Sequence, residues 1–132
     1  MLNRTSRYVI RVLGMLATEP QRRRRVEELA AATGIPRNYL SKLLNRLRKL
    51  GVVESVRGWG GGFVLRTGAL ELTIGEVLEQ LEGEPLVDRE CAFGLPECDP
   101  DNPCPLHQRW ERARNELEAL LAETRVGDLA RG

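Results

Sequence analysis

Outside one short stretch, this 132-residue sequence has no cysteine and no histidine. All three cysteines and the single histidine lie between residues 91 and 107, in CAFGLPECDPDNPCPLH. There is no Cys-x-x-Cys pair, no GxxxxGK[ST] phosphate loop and no repeat of strands that would wall a pocket. A small redox or nucleotide-using enzyme is therefore not expected, and neither is a small-molecule substrate. No apolar run approaches the roughly 20 residues of a membrane span. Arg7 and Arg11 also break the N-terminal apolar stretch where a secretion signal needs continuity. The expected setting is the cytoplasm, with no membrane partner, and in that reducing compartment clustered cysteines bind metal or do redox chemistry rather than cross-link the fold.

What is present is ordinary for one soluble folded domain: 42% apolar and 30% charged residues. The net charge of +1 conceals an asymmetry. Residues 1–70 carry 14 Lys/Arg against 4 Asp/Glu, a balance of +10, whereas residues 71–132 carry 6 against 15, a balance of −9. A basic half beside an acidic half points to a polyanion as partner of the first, and nucleic acid is the commonest one. Two solvated surfaces would show the same totals.

The apolar segment SRYVIRVLGMLA predicts a helix over residues 6–17, buried by neighbours on more than one face. Four consecutive arginines, Arg22 to Arg25, follow on a connection where their mutual repulsion calls for a counter-anion. VEELAAATG reads as a short helix closed by Gly34, and Pro36 opens the next at a first-turn position that needs no N–H. Leu40, Leu43, Leu44, Leu47 and Leu50 form its apolar stripe, and no acidic residue lies between Pro36 and Leu50. Two helices joined by a tight turn, the second presenting Arg, Asn, Lys and Ser outward, make a helix-turn-helix able to touch both phosphates and bases. VVESVRG and FVLRT then predict two strands of a hairpin around GWGGG, whose glycines free the backbone. Thr73-Ile74-Gly75-Glu76 fits a capping box opening another helix. From Pro105 a long helix is expected, with Leu106, Trp110, Ala113, Leu117, Leu120 and Leu121 on one stripe. Such a stripe finds its apolar cover in a second copy or on its own chain.

NYLSKLLNRLRKLGVV followed by SVRGWGGGFVL resembles the winged-helix region of the IscR/NsrR-type regulators, whose wing reads SVRGPGGGY; Trp59 stands where they carry a small residue or proline. The resemblance runs from about Thr5 to about Ala130. It implies a mainly α-helical fold with a small β-hairpin wing, in which a winged helix-turn-helix domain is joined to a long C-terminal dimerisation helix. The expected organisation is a DNA-binding domain over residues 1–85, a cysteine-rich cluster-binding loop over 86–107, and the dimerisation helix with its tail over 108–132. Candidate DNA contacts are Arg37, Asn38, Tyr39, Ser41, Lys42, Asn45 and Arg46 on the second helix of the pair and Arg57, Trp59 and Gly60 on the wing. The partner is double-stranded DNA with a two-fold symmetric operator, met by a homodimer.

The cysteine stretch has the spacing Cys91-x6-Cys98-x5-Cys104-x2-His107, broken by Gly94, Pro96, Pro100 and Pro103 as a wrapping loop requires. Thiolates suit zinc and the irons of iron–sulfur clusters, with imidazole a borderline donor. A structural zinc site would ordinarily include a short Cys-x2–4-Cys knuckle, which is missing. Iron–sulfur binding, zinc binding and thiol oxidation without a cofactor thus remain as readings. The resemblance implies a [2Fe-2S] cluster on the three cysteines, with His107 as fourth ligand because Arg7 and Tyr8 fall near the place of the N-terminal aspartate that some family members use. The first gap is six residues where the family has five.

Overall fold

In a computed structural model of the chain, residues 2–58, 62–87, 91 and 101–130 are described. Helix α1 spans Arg4–Thr18, starting two residues before the expected Ser6 because the Asn3 side chain accepts the Ser6 N–H at 2.8 Å and so sets the first turn. It buries Val9, Val12, Leu13, Leu16 and Ala17. Helix α2, Val26–Thr33, ends as anticipated at Gly34, whose φ of 75° allows its N–H to reach the Ala30 carbonyl. Helix α3 follows, Arg37–Lys49, with Leu40, Leu43, Leu44 and Leu47 buried; each contributes on the order of 2 kcal/mol of apolar burial. Pro36 lies one residue outside the helix, with extended ψ, and its carbonyl accepts the Leu40 N–H at 2.9 Å.

Strands β1 (Val53–Val56) and β2 (Gly62–Leu65) pair antiparallel from Val53↔Leu65 to Val56↔Gly62, the hairpin expected after the helix pair. A third extended piece was not foreseen. Arg24 exchanges both backbone hydrogen bonds with Phe63, at 2.9 and 2.8 Å, and so binds the α1–α2 connection to the outer edge of β2. Gly62 makes this approach possible: its φ is 140°, and a Cβ there would stand 2.5 Å from the Arg24 carbonyl oxygen. Gly62→Ala is expected to cost about 2 to 4 kcal/mol by combining backbone strain with that clash, read as a lower midpoint in urea unfolding. An unchanged midpoint would show that the edge pairing contributes nothing.

Helix α4, Ile74–Glu82, begins in the predicted capping box: Thr73 Oγ1 accepts the Glu76 N–H at 3.1 Å and the Glu76 carboxylate accepts the Thr73 N–H at 2.9 Å. Helix α5, His107–Glu123, starts two residues later than Pro105, with Leu106 as its cap. It crosses α4 where Gly75 has no side chain, since a Cβ there would lie 2.8 Å from the Leu121 carbonyl oxygen. The chain then turns back. Ile74 N–H donates to the Thr124 carbonyl at 2.9 Å, Val126 N–H to the Leu72 carbonyl at 2.8 Å, and a short 3-10 helix, Val126–Leu129, packs against α1 beside Gly14. Val126 is completely buried, so the tail, expected to go with the long C-terminal helix, returns into the core shared with α1 to α4. Among the described residues no helix is long and apolar enough to cross a membrane.

Candidate DNA-binding face and cysteine site

Burying one stripe of α3 leaves Arg37, Asn38, Tyr39, Ser41, Lys42, Asn45, Arg46, Arg48 and Lys49 exposed. These side chains differ in how they are held. Arg37 donates from Nε and Nη2 to the Glu27 carboxylate at 3.1 and 2.7 Å. The hydrogen bond from Arg37 keeps the Glu27 carboxyl below its ordinary pKa, so the pair persists at neutral pH and is lost as acid protonates Glu27. Asn45 accepts from Arg48 Nε and Nη2 at 3.2 and 2.9 Å, which brings onto this face an arginine absent from the expected contacts. Tyr39 bonds its hydroxyl to that of Thr5 and meets the Tyr8 ring edge-on at 5.4 Å, tying the start of α3 to α1. Asn38, Ser41 and Lys42 complete an outward row at three- and four-residue spacing.

Arg46 is placed apart from that row. Its guanidinium donates to the Leu81 carbonyl at 2.7 Å, because the partial negative charge at the C-terminal end of α4 draws a cation from the adjacent flank of α3. On the wing, Arg57 is exposed at the end of β1; Trp59 and Gly60 lie outside the described residues.

In the cysteine stretch the structure brings two of the expected ligands together. Cys91 is buried, Cys104 is half-buried, and their sulfurs stand 3.5 Å apart although 13 residues separate them. Two thiolates bound at about 2.3 Å by one tetrahedral metal lie about 3.8 Å from each other, so the pair is close to the spacing such a centre needs. Cys98 lies outside the described residues. His107 is the first residue of α5, and its N–H donates to the Cys104 carbonyl at 3.0 Å. Its ring faces the Glu111 carboxylate one turn on, with Nε2 3.7 Å from the nearer oxygen. Among the described residues no three His, Cys, Asp or Glu side chains converge as a metal site.

Comparison with known proteins decides what this arrangement belongs to. The model of the Rrf2 family, described as iron-dependent transcriptional regulators, matches residues 2–132. This chain belongs to the Rrf2 family. It is 35% identical over 127 residues to a helix-turn-helix-type transcriptional regulator of Aquifex aeolicus, covering 95% of this chain and 88% of that one. To the Escherichia coli regulator IscR it is 33% identical over 102 residues; the match takes in 77% of this chain and 62% of IscR's length. Among solved structures, CymR, the global cysteine regulator of Bacillus subtilis, superposes with a TM-score of 0.81 at 27% identity, covering 98% and 95% of the two chains. This Rrf2 protein is accordingly a DNA-binding transcriptional regulator and not an enzyme.

The long helix of this Rrf2 regulator splits the stripe expected of it. Leu121 is 4% exposed and Leu117 packs against the same core, so these two face their own chain. Leu106 and Leu120 remain 45% and 47% exposed, with Ala113 exposed midway between them. Leu106, Ala113 and Leu120 recur every seven residues, with Trp110 between the first two, and leave an open apolar seam along α5.

Proposed function

We propose that this regulator is a homodimer whose operator binding is controlled by an iron–sulfur cluster held by Cys91, Cys98 and Cys104, with His107 as fourth ligand. The observation that carries this reading is the 3.5 Å approach of Cys91 and Cys104, one of them two residues ahead of the α5 cap. The donor set agrees with it: thiolates for iron and an imidazole facing a carboxylate, Glu111, that would orient it. When bound, such a cluster supplies a tie between the two thiols that responds to iron supply, redox state or nitric oxide. The chain's own residues convey that tie. Cys104 holds the first N–H of α5 through its carbonyl, α5 packs on the core through Leu117 and Leu121, and its exposed seam meets the partner copy. The position of the cysteine stretch thereby sets the angle between two recognition helices on a two-fold operator, whose half-sites lie a whole number of DNA turns apart.

In each protomer α3 would read the major groove with Arg37, Asn38, Ser41, Lys42, Asn45 and Arg48, while Arg57 and the wing tip approach the backbone. Arg46, held by α4, serves the fold instead.

The test is anaerobic purification followed by a visible spectrum, iron and zinc analysis, and operator affinity before and after cluster removal. The expected result is a coloured iron-containing protein whose affinity shifts about 5- to 150-fold on removal, a coupling of about 1 to 3 kcal/mol. A colourless protein with zinc would make the site structural. The same 3.5 Å pair favours one second reading, a cofactor-free switch in which a peroxide or disulfide oxidant joins Cys91 to Cys104. A colourless, metal-free protein whose affinity follows oxidation would establish that reading in its place.

A further inference from the structure

We infer that two members of the four-arginine run, Arg23 and Arg25, form a phosphate-binding edge beside the wing, while Arg22 and Arg24 are counter-charges to Glu19 and Glu28. This rests on the DNA-binding reading above and names residues it did not include. The division comes from strand geometry. Arg24 pairs in extended conformation with Phe63, and successive side chains of an extended segment point to opposite faces. Arg24 turns inward and is 6% exposed, its guanidinium 3.7 Å from both Glu19 and Glu28. Arg22 shares the same two carboxylates, 2.8 Å from Glu28 and 3.4 Å from Glu19. Glu19 and Glu28 are thus occupied by these two cations.

Arg23 and Arg25 are exposed, and among the described residues neither makes a side-chain ion pair or hydrogen bond. Glu27 is close enough to feel the charge of Arg25, but its carboxylate is already engaged by Arg37. Both arginines flank the backbone point that closes on Gly62, the first residue of β2 and the one nearest the wing tip. Arg25 also caps α2, the helix that leads into the recognition helix. Two unneutralised guanidiniums on a rigid backbone, between the two elements that meet DNA, are suited to bidentate contact with phosphate oxygens. Such contacts add affinity for any duplex and release counterions.

The experiment uses the full chain and a short random-sequence duplex, with affinity followed by fluorescence anisotropy across about 50 to 200 mM salt. R23Q/R25Q is expected to flatten the slope of log affinity against log salt by about 1.8 for each protomer engaged, about 0.9 for each phosphate that is no longer neutralised. R23K/R25K should keep the slope, and R109Q/R112Q, which removes two exposed arginines from α5, should leave it unchanged. An unaltered slope in R23Q/R25Q overturns the proposal, as does an equal flattening in R109Q/R112Q, which would mean only total charge matters. Wild-type protein that binds the duplex with no salt dependence would remove the DNA-binding reading, and this inference with it.

Discussion

Alanine in place of either Cys91 or Cys104 is expected to reduce retained iron to background after anaerobic reconstitution, although each substitution alters only one small side chain. The two sulfurs face each other at 3.5 Å, so neither is a spare ligand whose loss the other could cover. Cys98→Ala should behave in the same way. His107→Ala should differ in degree: an imidazole can be replaced by water or another donor, so a weaker, more labile centre is expected in place of none. Iron and acid-labile sulfide per chain, read beside the visible spectrum, provide the check. The fold should survive in all four variants, because the core formed by α1 to α4 does not depend on these residues. Full iron content in Cys91→Ala or Cys104→Ala would disprove the ligand assignment. Operator affinity in Cys98→Ala that is the same with and without reconstitution, but still shifted in the wild type, would confirm that the shift works through the cluster.

The second large effect is expected from the exposed seam of α5. Placing a carboxylate at Leu120 and another at Ala113 puts like charges where two copies would meet, with no cost to the chain's own core, since both positions are exposed. The double variant should run as a monomer in analytical ultracentrifugation and keep the wild-type far-ultraviolet spectrum. Its operator affinity should fall by about 100-fold or more, because the second half-site is no longer reached by a tethered partner. Leu121→Glu is the contrasting change: it buries a charge in the core and should unfold the chain at any concentration. Should Ala113→Glu/Leu120→Glu remain dimeric, the seam faces something other than a second copy.

Much of the architecture could be read from local signals. The leucine stripe of α3, the Gly34 turn, the Thr73–Glu76 box and the hairpin after Gly51 each depend on residues within a few positions of one another, and each is found where the residues indicate. The pairing of Arg24 with Phe63 could not be read so, because nothing in RRRR announces a strand; it is imposed by a hairpin nearly 40 residues away. The same distance effect redirected Arg46, whose outward position on a helical wheel says nothing about the end of α4 arriving beside it. In α5 a single hydrophobic stripe was legible, but its division between the chain's own core and an open seam depends on where Gly75 lets the helix cross. As for the cysteine site, composition offered only candidate donors, whereas the meeting of Cys91 and Cys104 is a property of the folded chain.

The crossing at Gly75 has a mechanical consequence. Leu121 and the returning tail clamp α5 near its C-terminal end, whereas its other end, at His107, is steered by the backbone of Cys104. From His107 to Leu121 the helix is about 21 Å long at its rise of about 1.5 Å per residue. It is therefore a lever with its fulcrum at one end: a swing of about 10° at the glycine moves the far tip by about 4 Å. On the proposed mechanism, a change of a few ångströms where the thiols meet would be converted into rotation, and two protomers joined along that lever would turn their reading heads in opposite senses at once.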